Sequence, residues 1–154
     1  MSVNKEQDIE HSKKAVISDS NHLFPVFLKL EELKLLIIGG GNVGLEKLSA
    51  VVHNAPATKI RLVAISINEA VRAFALRHKN IHIEEKAFEE SDLENIDLVI
   101  LAINDKEESK RIRDLVKQRG LLVNVADKPE LCDFYLGSIV KKGNLKIAIS
   151  TDGK

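Results

Sequence analysis

The stretch from Leu33 to Ile38, halted by Gly39-Gly40-Gly41, constrains this chain more than any other. A short apolar run bounded by glycine reads as a strand buried on both faces, the habit of parallel sheets. Past the glycines the spacing changes. Val43, Lys47, Ala50 and Val51 recur near helical intervals, with Leu45, Leu48 and Val52 widening the stripe, so a helix over Asn42 to His53 follows the strand. The alternation then repeats: strand Ile60 to Ile65, helix Asn68 to His78 with Val71, Ala75 and Leu76 inward, and a short strand Ile81 to Ile83. Asp97 to Ile103 gives a fourth strand, Asp105 to Arg119 a charged helix with Ile112, Leu115 and Val116 inward, and Leu121 to Val125 a fifth strand after the Gly120 stop. Strands and helices in this order imply an α/β architecture, a Rossmann-like, doubly wound parallel sheet.

The two ends depart from that rhythm. Met1 to Asn21 mixes Lys5, Glu6, Asp8, Glu10, Lys13 and Lys14 with few apolar residues, and reads as a loose polar leader over residues 1–21. Order is expected from Leu23-Phe24-Pro25-Val26-Phe27, where Pro25 suits an edge position because it has no amide to give a central ladder. At the other end Phe134 to Val140 and Leu145 to Ser150, joined by Lys141-Lys142-Gly143-Asn144, form an expected antiparallel hairpin. An apolar hairpin of this kind is a natural edge for a second copy. The expected organisation is therefore a leader, a Rossmann domain over 22–132, and a segment over 133–154 that begins an association or substrate element.

Composition limits the partners. Lys and Arg balance Asp and Glu at 23 each, so no global field draws the chain to nucleic acid or anionic lipid. No apolar run nears the ~18–20 residues of a membrane-spanning helix. Cys132 is the only cysteine and can form no internal disulfide, which fits a reducing cytoplasm. His11, His22, His53, His78 and His82 show no tight ligand spacing with it, so no permanent metal site is expected.

Gly39-Gly40-Gly41-Asn42-Val43-Gly44 satisfies G-x-G-x-x-G in the strand-to-helix setting its mechanism requires. Gly39 permits the tight turn, Gly41 lets backbone approach a phosphate, and Gly44 lets the helix lie against its strand. The helix that begins near Asn42 adds unpaired N–H groups and a partial positive charge, suited to the diphosphate of a nicotinamide dinucleotide. A tight packing turn without ligand is the plainer reading of the same residues. The acid that usually follows the second strand, ~20 residues past the glycines, is missing. In its place stand Ile65, suited to pack on adenine, and Ser66, suited to a ribose or a 2′-phosphate, so NAD and NADP are not separated; Ser66 is equally an expected N-cap. Asn104 ends the fourth strand, where it either faces the ligand or, like Asp105, caps the next helix. Asp127, after the fifth strand, is a candidate acid or base shielded by Val125 and the Leu131 to Tyr135 segment, with Asp133 a competitor; before Lys128-Pro129 it is also an ordinary turn residue.

The run Leu35 to Gly44, together with Val123-Asn124-Val125-Ala126-Asp127-Lys128-Pro129-Glu130-Leu131-Cys132-Asp133-Phe134-Tyr135, resembles the precorrin-2 dehydrogenase family, which includes the dehydrogenase domains of siroheme synthases. The likeness extends from about Phe24 to the end, where Ile147 to Lys154 is similar to the family's stretch before its helical part. The resemblance implies oxidation of precorrin-2 to sirohydrochlorin with NAD as hydride acceptor, usually in a homodimer, and in bifunctional members insertion of ferrous iron, Fe2+, as a second substrate. By position it implies Gly41, Asn42 and Val43 at the phosphates, Ile65 and Ser66 at the cofactor, and Asp127 as the essential base. The polycarboxylate substrate implies local cations, with Lys106, Lys128, Lys141, Lys142 and Lys154 the candidates. The family's helical portion would lie beyond Lys154. A module that binds a dinucleotide to sense redox state, without catalysis, is the alternative.

Overall fold

The computed structural model describes residues 20–152, so the leader as far as residue 19, and Lys154, lie outside the described part. These residues fall into two compact units, one of them Leu28–Leu136 and the other combining the chain up to Phe27 with the chain from Gly137.

The larger unit is built on a parallel sheet of five strands: β1 (Lys34–Ile38), β2 (Lys59–Ala64), β3 (Ile81–Glu85), β4 (Leu98–Leu101) and β5 (Leu122–Val125), in the order β3-β2-β1-β4-β5. Parallel pairing follows from the crossovers. Helix α1 (Asn42–Asn54) returns the chain from β1 to β2, α2 (Glu69–Leu76) from β2 to β3, and α3 (Lys106–Gln118) from β4 to β5. The period-two alternation of the strands then sorts the core into two layers. Leu35, Ile37, Ile60, Leu62, Leu98 and Ile100 face one side with Leu48, Val51 and Val52 of α1 and Val71 of α2. Leu36, Ile38, Val63, Val99, Leu101, Val123 and Val125 face the other with Ile112 and Val116 of α3. The helices thus cover both faces, which makes the sheet doubly wound, and the order of its strands reverses between β1 and β4.

Several expectations shift. The inward stripe of α1 is Gly44, Leu48, Val51 and Val52, while Ala50, roughly 200° round the helix from Leu48, faces out. Leu76 is the last residue of α2, turned roughly 100° from buried Ala75, and is 89% exposed. Residues 21–29 carry no strand, and Phe24 and Phe27 are exposed, so Pro25 edges no sheet. Asn68, not Ser66, caps α2, its side chain accepting from Val71 N at 2.9 Å.

The smaller unit holds a hairpin, β6 (Ser138–Lys142) and β7 (Leu145–Ile149), shorter at its start than the Phe134 to Val140 run suggested. Lys142 pairs with Leu145 across Gly143-Asn144, and Gly143 has φ +57°, the left-handed backbone that a two-residue turn requires. Asn21 Nδ2 donates to the Ser150 carbonyl at 3.2 Å.

Charged side chains tie the β3–β4 crossover to the sheet. Arg61 on β2 pairs with Glu84 of β3 at 2.6 Å and with Asp92 at 2.6 Å, and Lys86 reaches Asp92 at 2.9 Å. Asp92, 2% exposed, also accepts the Glu89 amide at 2.8 Å. Burial alone would raise its pKa; hydrogen bonds from Lys86, the Glu89 amide and Arg61 outweigh it and hold the carboxyl below its ordinary value. Glu84 is likewise lowered, chiefly by the Arg61 hydrogen bond.

Candidate dinucleotide site

Every strand of the five-stranded sheet ends on the same edge, and β1 and β4, at the reversal, open the crevice where such sheets bind ligands. The glycine turn stands there. Gly39 has φ +132°, and a Cβ on it would run into the Ala102 carbonyl at the end of β4. Gly44 faces the Gly39 carbonyl so closely that no side chain fits, which brings α1 onto its strand. Gly40, unassigned in the motif, is equally constrained: a Cβ there would come within 2.5 Å of the Ser66 carbonyl. Its place in a run of three glycines was the available sequence signal.

Gly41 differs from all three. A Cβ there would meet nothing within 4 Å, so the space in front of it is open. Gly41 is also the N-cap of α1, where no side chain caps the helix and no acid occupies the first turn. The first-turn amides of Asn42, Val43 and Gly44 therefore lack a capping side chain, and a helix N-terminus of this kind is suited to receive a phosphate. The Asn42 side chain itself is engaged by Asn68 Nδ2 at 3.3 Å. An open cradle, uncapped amides and a first turn without an acid fit the diphosphate of a dinucleotide.

The loop after β2 lies against this turn, since Asn68 N donates to the Gly40 carbonyl at 2.9 Å. Ile65, just past β2, is 79% exposed, and Ser66 is exposed beside it. An apolar side chain held out of the core at the crevice is suited to a flat ring such as adenine.

Asp127 follows β5 on the same edge, two strands from β1 and so about 10 Å across the sheet. It is exposed rather than shielded, which corrects the sequence expectation: the Leu131 to Tyr135 segment runs along β5 instead of over Asp127. Its backbone has φ +61° at the third position of a turn closed by Lys128 N to the Val125 carbonyl at 3.2 Å. Left-handed backbone is a conformation that aspartate and asparagine tolerate better than other side chains, and Asn95 and Asp152 share it. Among the described residues the Asp127 carboxylate has no hydrogen-bond or ion-pair partner.

Asp133, the competitor, is committed elsewhere. One oxygen accepts Lys117 Nζ at 2.8 Å and the other the Val123 amide at 3.0 Å. Cys132, which sequence reasoning left without a task, accepts the Val125 amide at 3.1 Å and lies 3.2 Å from the Val125 carbonyl and 3.4 Å from that of Lys128. Burial raises its thiol pKa, so it remains a neutral SH that can donate to those carbonyls. The thiol thereby fastens both ends of the Asp127 turn. No motif in the sequence announces this, because it depends on residues 132–134 folding back along the free edge of β5.

Asp105 caps α3, accepting Glu108 N at 3.0 Å, which leaves Asn104 exposed at the end of β4 without capping duty. Lys106, Lys141 and Lys142 are exposed, and Lys128 approaches Ser109 Oγ at 3.5 Å. Among the described residues no group of three or more His, Cys, Asp or Glu is placed to hold a metal, and no helix is long and apolar enough to cross a membrane.

An open parallel sheet whose reversal point presents uncapped helix amides over a glycine turn defines a Rossmann-type nucleotide-binding domain. The chain belongs to the family described as "Putative NAD(P)-binding", which matches residues 26–138. Similar proteins include the siroheme synthase of Methylococcus capsulatus, 34% identical over 84% of this chain but 27% of that protein. That of Psychrobacter arcticus is 35% identical over 85% of this chain and 23% of the relative. The chain thus spans about a quarter of the length of these curated relatives. Among solved structures, SirC, precorrin-2 dehydrogenase, shares the fold with a TM-score of 0.70 at 24% identity, over 85% of this chain and 63% of that one.

Proposed function

We propose that this chain carries out NAD-dependent oxidation of precorrin-2 to sirohydrochlorin, with Asp127 as general base. The reading is carried by one juxtaposition: an open cradle at Gly41 suited to a diphosphate and, on the same sheet edge, an exposed carboxylate that has no partner among the described residues. The siroheme synthase relatives and the block from Asn124 to Tyr135 support the choice of substrate.

Bound nicotinamide would supply the hydride acceptor. The protein's part is placement and proton removal. Gly41 and the amides of Asn42, Val43 and Gly44 hold the diphosphate, Ile65 packs on adenine, and Ser66 lies at the ribose. Asp127 takes a proton from the macrocycle as hydride leaves it, and its exposure lets that proton pass on to water. The substrate's carboxylates call for cations beside Asp127, for which Lys128, next in the chain, is nearest in sequence.

The hairpin presents Val140, Leu145, Ile147 and Ile149 on one side, each at least 47% exposed. A two-stranded hairpin is marginal alone, so this apolar side is assigned to association with a second copy.

The deciding assay follows sirohydrochlorin formation from precorrin-2 with NAD. Asp127→Asn is expected to keep dinucleotide affinity and lower turnover by about 100-fold or more. Normal turnover in that variant would remove Asp127 from the chemistry. Wild-type protein that binds NAD and forms no product would instead mark a redox-sensing module.

A further inference from the structure

Dinucleotide sites of this sheet type commonly place an acid at the end of the second strand, where it holds the ribose hydroxyls and opposes a 2′-phosphate. β2 ends here in Ala64, followed by Ile65 and Ser66, with no acid. The neighbouring strand provides one. Glu85 is the last residue of β3, in register with Ala64, and its Oε2 accepts the Ile67 amide at 3.0 Å. Ile67 belongs to the loop that lies on the glycine turn through Asn68 N and the Gly40 carbonyl. A carboxylate thus reaches, from one strand over, the loop where the missing acid would stand. The same oxygen pairs with Arg72 in α2. Neither side chain is buried, at 45% exposure for Glu85 and 38% for Arg72.

We propose that Glu85 and Arg72 together set the coenzyme choice of the site. Glu85 stands in for the second-strand acid and favours NAD, while it also holds Arg72 away from the role of a 2′-phosphate ligand. A 2′-phosphate would meet the carboxylate's charge and compete for a guanidinium already taken. Removal of the carboxylate releases a fork of N–H donors whose geometry matches phosphate. The inference rests on the dinucleotide reading of the glycine turn.

Titration of the whole chain with NADH and with NADPH, by ligand fluorescence, tests it in wild type, Glu85→Gln and Arg72→Gln. The amide introduced by Glu85→Gln keeps an oxygen for the Ile67 N–H, so the loop is retained. Wild type is expected to favour NADH. Glu85→Gln should move the affinity ratio toward NADPH by about fivefold or more, and Arg72→Gln should move it the opposite way. A ratio unchanged within about twofold in both variants, with both coenzymes bound, would overturn the inference and leave the glycine turn intact as a site. A wild-type preference for NADPH would overturn it equally. Failure of wild type to bind either coenzyme would sink the reading of the turn as well.

Discussion

The carboxyl edge of the sheet and the charged network between β2 and β3 use polar groups in opposite ways. Around Arg61, each carboxylate meets a cation: Glu84 and Asp92 share the guanidinium, and Lys86 completes Asp92. Along the carboxyl edge the α1 amides have no capping side chain, Ile65 projects into solvent, and Asp127 stands apart. The contrast recurs at finer scale between α1, with a glycine N-cap, and α3, closed by Asp105. Satisfied groups hold a fold together, whereas unsatisfied ones at a concave edge are free to recognise a ligand. Substitutions in the first region should therefore be read in stability, and those in the second in binding.

The largest effect is expected at Asp92. Asp92→Ala leaves Lys86 without its carboxylate and Arg61 with only one, at a cost of about 3 kcal/mol in urea denaturation. Acid should act similarly. Glu84 and Asp92 have lowered folded-state pKa values, so their contribution is present above the unfolded value of about 4 and is lost as pH falls through the folded one. Asp92→Asn should flatten that acid dependence, and an unaltered slope would show that the network contributes nothing.

Next comes Gly41→Asp. It puts a carboxylate where the diphosphate lies, so calorimetry should record at least about a 100-fold loss of NAD affinity, close to 2.7 kcal/mol. Because the Cβ meets nothing and aspartate is a good N-cap, stability should hold or rise by a few tenths of a kcal/mol. Loss of both affinity and stability would mean that the turn was never free. Asp105→Ala is the mirror experiment. It should cost about 1 kcal/mol of stability and leave NAD affinity unchanged. The smallest shift is expected from Asp127→Gly, where relief of left-handed strain nearly cancels glycine's entropy cost, so the denaturation midpoint should correspond to a change of only a few tenths of a kcal/mol.

The sheet was legible because β1, β4 and β5 are short apolar runs set between segments of helical spacing, the alternation that a parallel α/β sheet requires. The glycine turn was legible for the same reason, since its flanks specify a strand before and a helix after. What escaped depended on rotation or on remote contact. Leu76 and Ala50 looked inward by helical spacing, yet where a helix meets its sheet decides which side counts. Asp127's exposure and the duties of Asp133 and Cys132 follow from residues 132–134 lying beside β5, a pairing between segments that no local pattern encodes. Glu85 escaped because its partner loop belongs to a different strand.

That same pairing has a further effect on how the sheet ends. The outward amides of Val123 and Val125 are already met by the Asp133 carboxylate and the Cys132 sulfur. An incoming extended peptide finds no row of donors on this margin to copy, so growth of the sheet into fibrils through this border is blocked from within the chain.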